Sequence, residues 1–333
     1  RSSAASDVYK RQPDGDPMRR WGVCVDDSSL WWPIIARNKR SVVADLKDPD
    51  DLAFVQRLAG ECDVVLENFR PGVLARFGLD HATLSATNPG IIVAHVSGFG
   101  QTGPRATDAG FVSIGDAVGG IRHTTGDPVR PPARCGISLG DSLAAMLAVI
   151  GTLAALHERS SSGKGQEIDV AIYEAVAALM ESSMVDYDVA DVLRNRSGGT
   201  LPGVAPSNAY PTNDGSEVLI AANADNIFAR LCEAMDRPDL AVDDRFATHI
   251  PRGEHERELD AIVAAWTATL DSDELLALLR EHTVPAGRVY TAADMLGDDH
   301  YAARELVQRR TARTGIDTPM LGVVPKFSRT PGR

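Results

Sequence analysis

Short β-branched runs alternate with helical periods along most of this chain. Ser41–Leu46 (SVVADL), Cys62–Asn68 (CDVVLEN) and Ile91–Ser97 (IIVAHVS) have the length and residue types of strands. Pro49–Gly60, preceded by Asp48, has the start signal and period of a helix. Such alternation predicts an α/β protein with a parallel sheet flanked by helices. Asp141–Arg159 is the strongest helical pattern, and its apolar residues surround it almost completely, which predicts a buried helix. SSSGKGQ then predicts a tight turn into the strand Glu167–Ile172 (EIDVAI), followed by helix from Tyr173 to Leu193.

Beyond Arg194 the pattern breaks, because Ser197, Gly198, Gly199, Pro202, Gly203, Pro206 and Pro211 crowd one stretch and mark a linker. A strand at Glu217–Ala222, helices at Asn226–Met235, Glu254–Leu270 and Ser272–His282, and a strand at Ala286–Tyr290 make a second, α+β lobe. Short extended runs after Leu306 predict a returning segment. The expected organisation is therefore a large domain over 13–191, a linker over 192–205, a small domain over 206–301 and a return over 302–333. The opening RSSAASDVYKRQ has neither a helical nor a strand period and no hydrophobic signal core, so residues 1–12 read as a non-native leader.

Composition narrows the function. The 333 residues suit two lobes, and 44% apolar with 24% charged residues excludes a disordered chain, a collagen or a coiled coil. With 34 basic against 46 acidic residues the formal charge is −12, which would repel a nucleic-acid backbone. The most apolar run, Leu143–Leu156, falls short of the ~20 residues a bilayer requires. No membrane span is predicted. Cys24, Cys62, Cys135 and Cys232 form no CxxC pair, so neither zinc nor a disulfide framework is signalled and a cytoplasmic protein is expected.

Gly98–Gly103 (GFGQTG) matches G-x-G-x-x-G after a strand, yet Pro104–Gly110 has no helical period, so a glycine-rich loop is expected and a nicotinamide site is the lesser alternative. Gly163–Gln166 lacks the spacing of a P-loop and reads as a turn. The eight histidines carry no metal spacing and read mostly as surface or loop residues, and GxSxG is absent. Asp141, at the junction of Gly136–Gly140 (GISLG) with the long helix, fits two roles. It could be an N-cap, or a carboxylate nucleophile kept ionised by the helix dipole and reached past the neighbouring glycine.

Several blocks in order decide between them. Asn38–Ser41 with ADLK at 44–47, ENFRPG at 67–72, HVSGFGQTGP at 95–104 and the stretch from Gly136 to Val176 together resemble the family III CoA-transferases, the CaiB/BaiF or formyl-CoA transferase type. The resemblance runs from Pro13 to Ser328, without the family's first strand and helix and its last C-terminal segment. It implies a Rossmann-like large domain, a smaller α+β domain and an interlocked homodimer.

By this resemblance Asp141 is the catalytic residue. Its carboxylate would carry the acyl group and then CoA between small, dicarboxylic acids, with the acyl-CoA thioester as substrate and no permanently bound cofactor or metal. The family's CoA contacts carry over to Ala44, Asp45, Leu46, Lys47, Asn68, Phe69, Arg70 and Arg76. Lys39, Arg40 and Arg105 add positive charge for CoA's phosphates, and Arg11 falls near a further contact. The racemases of the same fold use a histidine thirty residues before the aspartate; Phe111 stands there and cannot exchange a proton. A transferase is thus expected over a racemase, and a non-catalytic, truncated CoA-binding remnant is the other alternative. The four-glycine run of formyl-CoA transferases is absent, which argues against strict oxalate and formyl-CoA specificity.

Overall fold

Strand β1 (Ala5–Tyr9) lies parallel to β2 (Lys39–Val43), in a stretch whose sequence shows no strand period. The computed structural model describes residues 5–9, 15–312 and 315–332, so Arg11 lies outside the described residues. Strands β3 (Val64–Glu67), β4 (Ile92–Ser97) and β5 (Glu167–Ala171) form a second parallel sheet in that order. Helix α1 (Pro49–Gly60) links the two sheets. The Asp48 carboxylate accepts hydrogen bonds from the amides of Asp50 and Asp51, while Pro49 occupies the first position, as its start signal predicts. β2 ends earlier than expected because Asp45 turns the chain, its carboxylate accepting the Lys47 N–H at 3.0 Å and its carbonyl the Asp48 N–H at 2.8 Å.

Ala44 and Leu46, just past that strand end, pack with Val55, Ala59, Leu74, Ile91 and Val93 into one apolar cluster. One glycine closed in by neighbouring backbone explains the GKGQ turn. A side chain on Gly165 would stand 1.7 Å from the Ile91 carbonyl oxygen, so only glycine lets the turn pass over β4's entry. Helix α2 (Val112–Val118) and helix α3 (Leu139–Ser162) follow β4, and α4 (Ile172–Ala177) and α5 (Ser183–Ala190) follow β5. The single helix expected from Tyr173 to Leu193 is broken because Glu181 adopts φ 50°, a left-handed conformation that stops helical hydrogen bonding.

Helix α3 is the main departure from expectation. Only Gly140, Ala144, Ala148 and Ala155 are buried, whereas Met146, Ile150 and Leu153 are 60%, 61% and 61% exposed. Its small residues lie against α4 and β5, and its large ones face outward. By length and composition alone this helix could cross a membrane, since it extends well past Leu143–Leu156.

The second unit, His123–Arg134 with Leu193–Asp299, combines strands and helices. Strands β6 (Ser207–Pro211), β7 (Glu217–Ala221) and β8 (Ala286–Arg288) form an antiparallel sheet in the order β8-β7-β6. Helices α6 (Asp225–Ala234), α7 (Glu256–Thr267) and α8 (Ser272–Glu281) contribute Phe228, Leu231, Leu259 and Leu275 to a core with Tyr210, Val218 and Ile220. β6 opens the stretch expected as the small domain, but with Pro206 and Pro211 bracketing it the sequence carries no strand signal there. The fully buried Arg252 donates to the carbonyls of Ala205, Phe246 and Asn223 and pairs with Asp225 at 2.5 Å, so its charge is compensated by carbonyl oxygens as well as a carboxylate. His123–Arg134 clusters with this unit although it was assigned to the large domain. Arg196 holds it, donating to the carbonyls of His123 at 3.1 Å and Asp127 at 3.3 Å. Strands β9 (Val307–Thr311) and β10 (Asp317–Leu321) pair antiparallel within the first unit, where Arg37 donates to the Leu321 carbonyl at 2.5 Å.

Candidate active site

Asp141 lies in the first turn of α3, three residues into the helix rather than at its cap. Ser138 is the N-cap and makes no side-chain capping bond, and the positive end of the helix dipole lies beside the exposed Asp141 carboxylate. That is a favourable place for an anion and for a carboxylate that must react from its charged form. Gly140 is buried and closely packed. A side chain there would stand 2.7 Å from Asp116 Oδ1 and 3.0 Å from Ile172 Cγ2. Asp116 itself, on α2, is 3% exposed, and its Oδ1 has no hydrogen-bond partner among the described residues.

Apart from Arg76, which sits in a helical turn at Leu74–Phe77, the residues assigned to CoA fall on the loops that leave the carboxyl ends of parallel strands, where α/β folds bind their ligands. Ala44–Lys47 follows β2, Asn68–Arg70 follows β3, and Gly98–Arg105 follows β4. Their side chains are not equivalent. Ala44 and Leu46 are buried in the core, which leaves only their backbone for a ligand, while Lys47, Asn68, Arg70 and Arg76 are exposed. Phe69 is half-buried. Arg105 stacks on Phe99, 3.9 Å from the ring centroid, and pairs with Asp108 at 3.1 Å, so part of its guanidinium is already engaged. Lys39 donates to the Ile35 carbonyl at 2.8 Å, and Arg40 is exposed.

GFGQTG forms the expected loop, with no helix beginning inside it. Asp169 Oδ2 accepts the Gln101 N–H at 2.8 Å and Ser97 Oγ the Gly100 N–H at 2.9 Å, which occupies amides that a dinucleotide site would offer to phosphate. Phe111 precedes α2 and is 78% exposed. Among the described residues no group of three His, Cys, Asp or Glu side chains is arranged to hold a metal.

His95 was missed, having been grouped with surface histidines. It is buried on β4 as the register partner of Glu67, and Nδ1 lies 2.5 Å from Glu67 Oε1. The hydrogen bond to Glu67 raises its pKa above the usual imidazole value, against the opposing effect of burial. The available signal was a polar residue near the end of each of two neighbouring strands.

The model for CoA-transferase family III matches residues 10–333. The chain belongs to CoA-transferase family III. As a CoA-transferase it uses CoA thioesters as substrates. It is 53% identical to the succinyl-CoA–D-citramalate CoA-transferase of Chloroflexus aurantiacus, over 98% of this chain and 82% of that protein. With the alpha subunit of succinyl-CoA–L-malate CoA-transferase from Chloroflexus aurantiacus it shares 37% identity, over 96% and 75% of the two chains. A solved CaiB/BaiF family protein from Brucella suis matches at a TM-score of 0.82 with 33% identity, covering 98% of this chain and 85% of its own. The α/β architecture is therefore the family's.

Proposed function

We propose that this CoA-transferase moves CoA between small dicarboxylic acids, with succinyl-CoA as donor and Asp141 as the covalent relay. The 53% identity to a succinyl-CoA–D-citramalate CoA-transferase carries the substrate class, and an exposed carboxylate in the first turn of α3, at the positive end of the helix dipole, supports the role of Asp141. An Asp141 oxygen attacks the donor's thioester carbonyl, the C–S bond breaks, and a mixed anhydride and CoA thiolate result. The thiolate then attacks the aspartyl carbonyl carbon, releasing the donor carboxylate and leaving an aspartyl-CoA thioester. An acceptor carboxylate attacks that thioester, frees CoA thiolate and forms a second anhydride. Attack of the thiolate on the acceptor's acyl carbon completes the new acyl-CoA and restores the Asp141 carboxylate. Over the whole cycle one thioester replaces another, so the thioester energy is preserved provided water is kept from the intermediates.

Lys47, Arg70 and Arg76 would receive CoA's phosphates. The working unit is a homodimer in this reading, supported by the uncovered apolar face of α3 and by the family resemblance. Incubation with succinyl-CoA followed by hydroxylamine trapping and mass spectrometry is expected to find a modified Asp141. Asp141→Ala is expected to lose about 10³-fold or more in transfer rate. A folded Asp141→Ala protein that still transfers CoA at the parent rate would overturn the assignment.

A further inference from the structure

One buried pair of titratable side chains takes no part in the transfer steps. Glu67 closes β3 and His95 lies opposite it on β4, with their side chains 6% and 8% exposed. Both oxygens of the Glu67 carboxylate are engaged. Oε1 meets His95 Nδ1 at 2.5 Å, and Oε2 accepts the Phe69 backbone N–H at 2.5 Å. The second imidazole nitrogen, Nε2, faces Glu167 Oε1 on β5 at 3.4 Å. Burying an ion pair is a poor route to stability, because desolvation offsets most of the attraction. What this pair does hold is a backbone amide in the middle of the loop that follows β3.

We infer that Glu67 and His95 are positioning residues that hold the Asn68–Phe69–Arg70 loop ready for CoA, an inference resting on the proposed role of that loop in CoA binding. A carboxylate gripped from one side by His95 cannot rotate away from the Phe69 amide on the other. The loop is tied at its far end as well, where the Arg70 carbonyl accepts the Val73 N–H at 3.1 Å. A loop fixed at both ends leaves Asn68 and Arg70 exposed in one arrangement and lowers the ordering cost of binding.

Calorimetric titration of CoA into the full chain tests this. Glu67→Ala is expected to weaken CoA binding about tenfold, the equivalent of losing one charge-assisted hydrogen bond. Glu67→Gln, which keeps an acceptor for the Phe69 amide, is expected to stay within about twofold of the parent. If both variants lose thermal stability while CoA binds as before, and Arg70→Ala binds weakly, the pair is only structural; the positioning role is then wrong, and the loop's CoA role stands. If Arg70→Ala also binds CoA as the parent does, the loop reading fails and takes the inference with it. Hydrogen exchange on the unmodified protein covers the case in which Glu67→Ala does not fold. The Phe69 amide is expected to exchange slowly both with and without CoA, and fast exchange in the free protein would overturn the inference.

Discussion

Gly140 and Asp141 show that residue types at a helix start are legible locally while the point where the helix begins is not. An acid at the start of the long helix was legible, but the helix begins two residues sooner, because Ser138 and not Asp141 ends the extended chain. Glycine is a poor helix former, so GISLG resembled a loop to its last residue. The contact that requires glycine comes from Asp116 and Ile172, which are distant in sequence. Gly140→Ala is therefore expected to destabilise the fold by about 1–3 kcal/mol through overpacking, read by denaturant unfolding; an unchanged midpoint would contradict the contact. His95 makes a second prediction, with Glu67 on β3 and Glu167 on β5 as the carboxylates facing it. Its pKa is raised in the folded protein, so its stabilising contribution is complete below the ordinary imidazole value of about 6.5. That contribution is lost as pH rises through the higher folded value. The melting-temperature advantage of the parent over His95→Gln should accordingly be largest in mild acid and shrink in alkaline buffer.

Among elements, α1 and β3 to β5 were readable because each carries its own local signals: a cap, a period or a β-branched run. β6 was not, since the prolines at 206 and 211 look like linker when the pairing strand is unknown. α3 failed for a different reason. Apolar residues on all sides predict burial without saying what does the burying, and within this chain only the small residues on one face are covered. The proposed partner is a second copy of the chain. Ile150→Lys combined with Leu153→Lys is expected to convert a particle of twice the chain mass into one of single mass, measured by light scattering after size exclusion. A parent protein that is monomeric, or that co-sediments with lipid vesicles through this face, would refute the dimer.

At the scale of the whole molecule, the charge of −12 is a property of the sum and not of the site. Lys47, Arg70 and Arg76 are exposed on or near strand-end loops, where local charge outweighs the distant acidic surface once salt shortens the range of the field. CoA affinity is expected to fall about tenfold between 0.05 and 0.5 M salt, as screening weakens phosphate contacts; an affinity indifferent to salt would remove these cations from the site. The sequence alone determined the α/β class, the order of lobes, the family and the residues offered for chemistry, because these are written in local periods and in blocks at constant spacing. Only the tertiary structure decided which distant residues meet. It joined His123–Arg134 to the second unit, buried Glu67 against His95 and left the large side chains of α3 uncovered. Such meetings depend on strand register and close packing across long chain separations, which neither residue type nor spacing records.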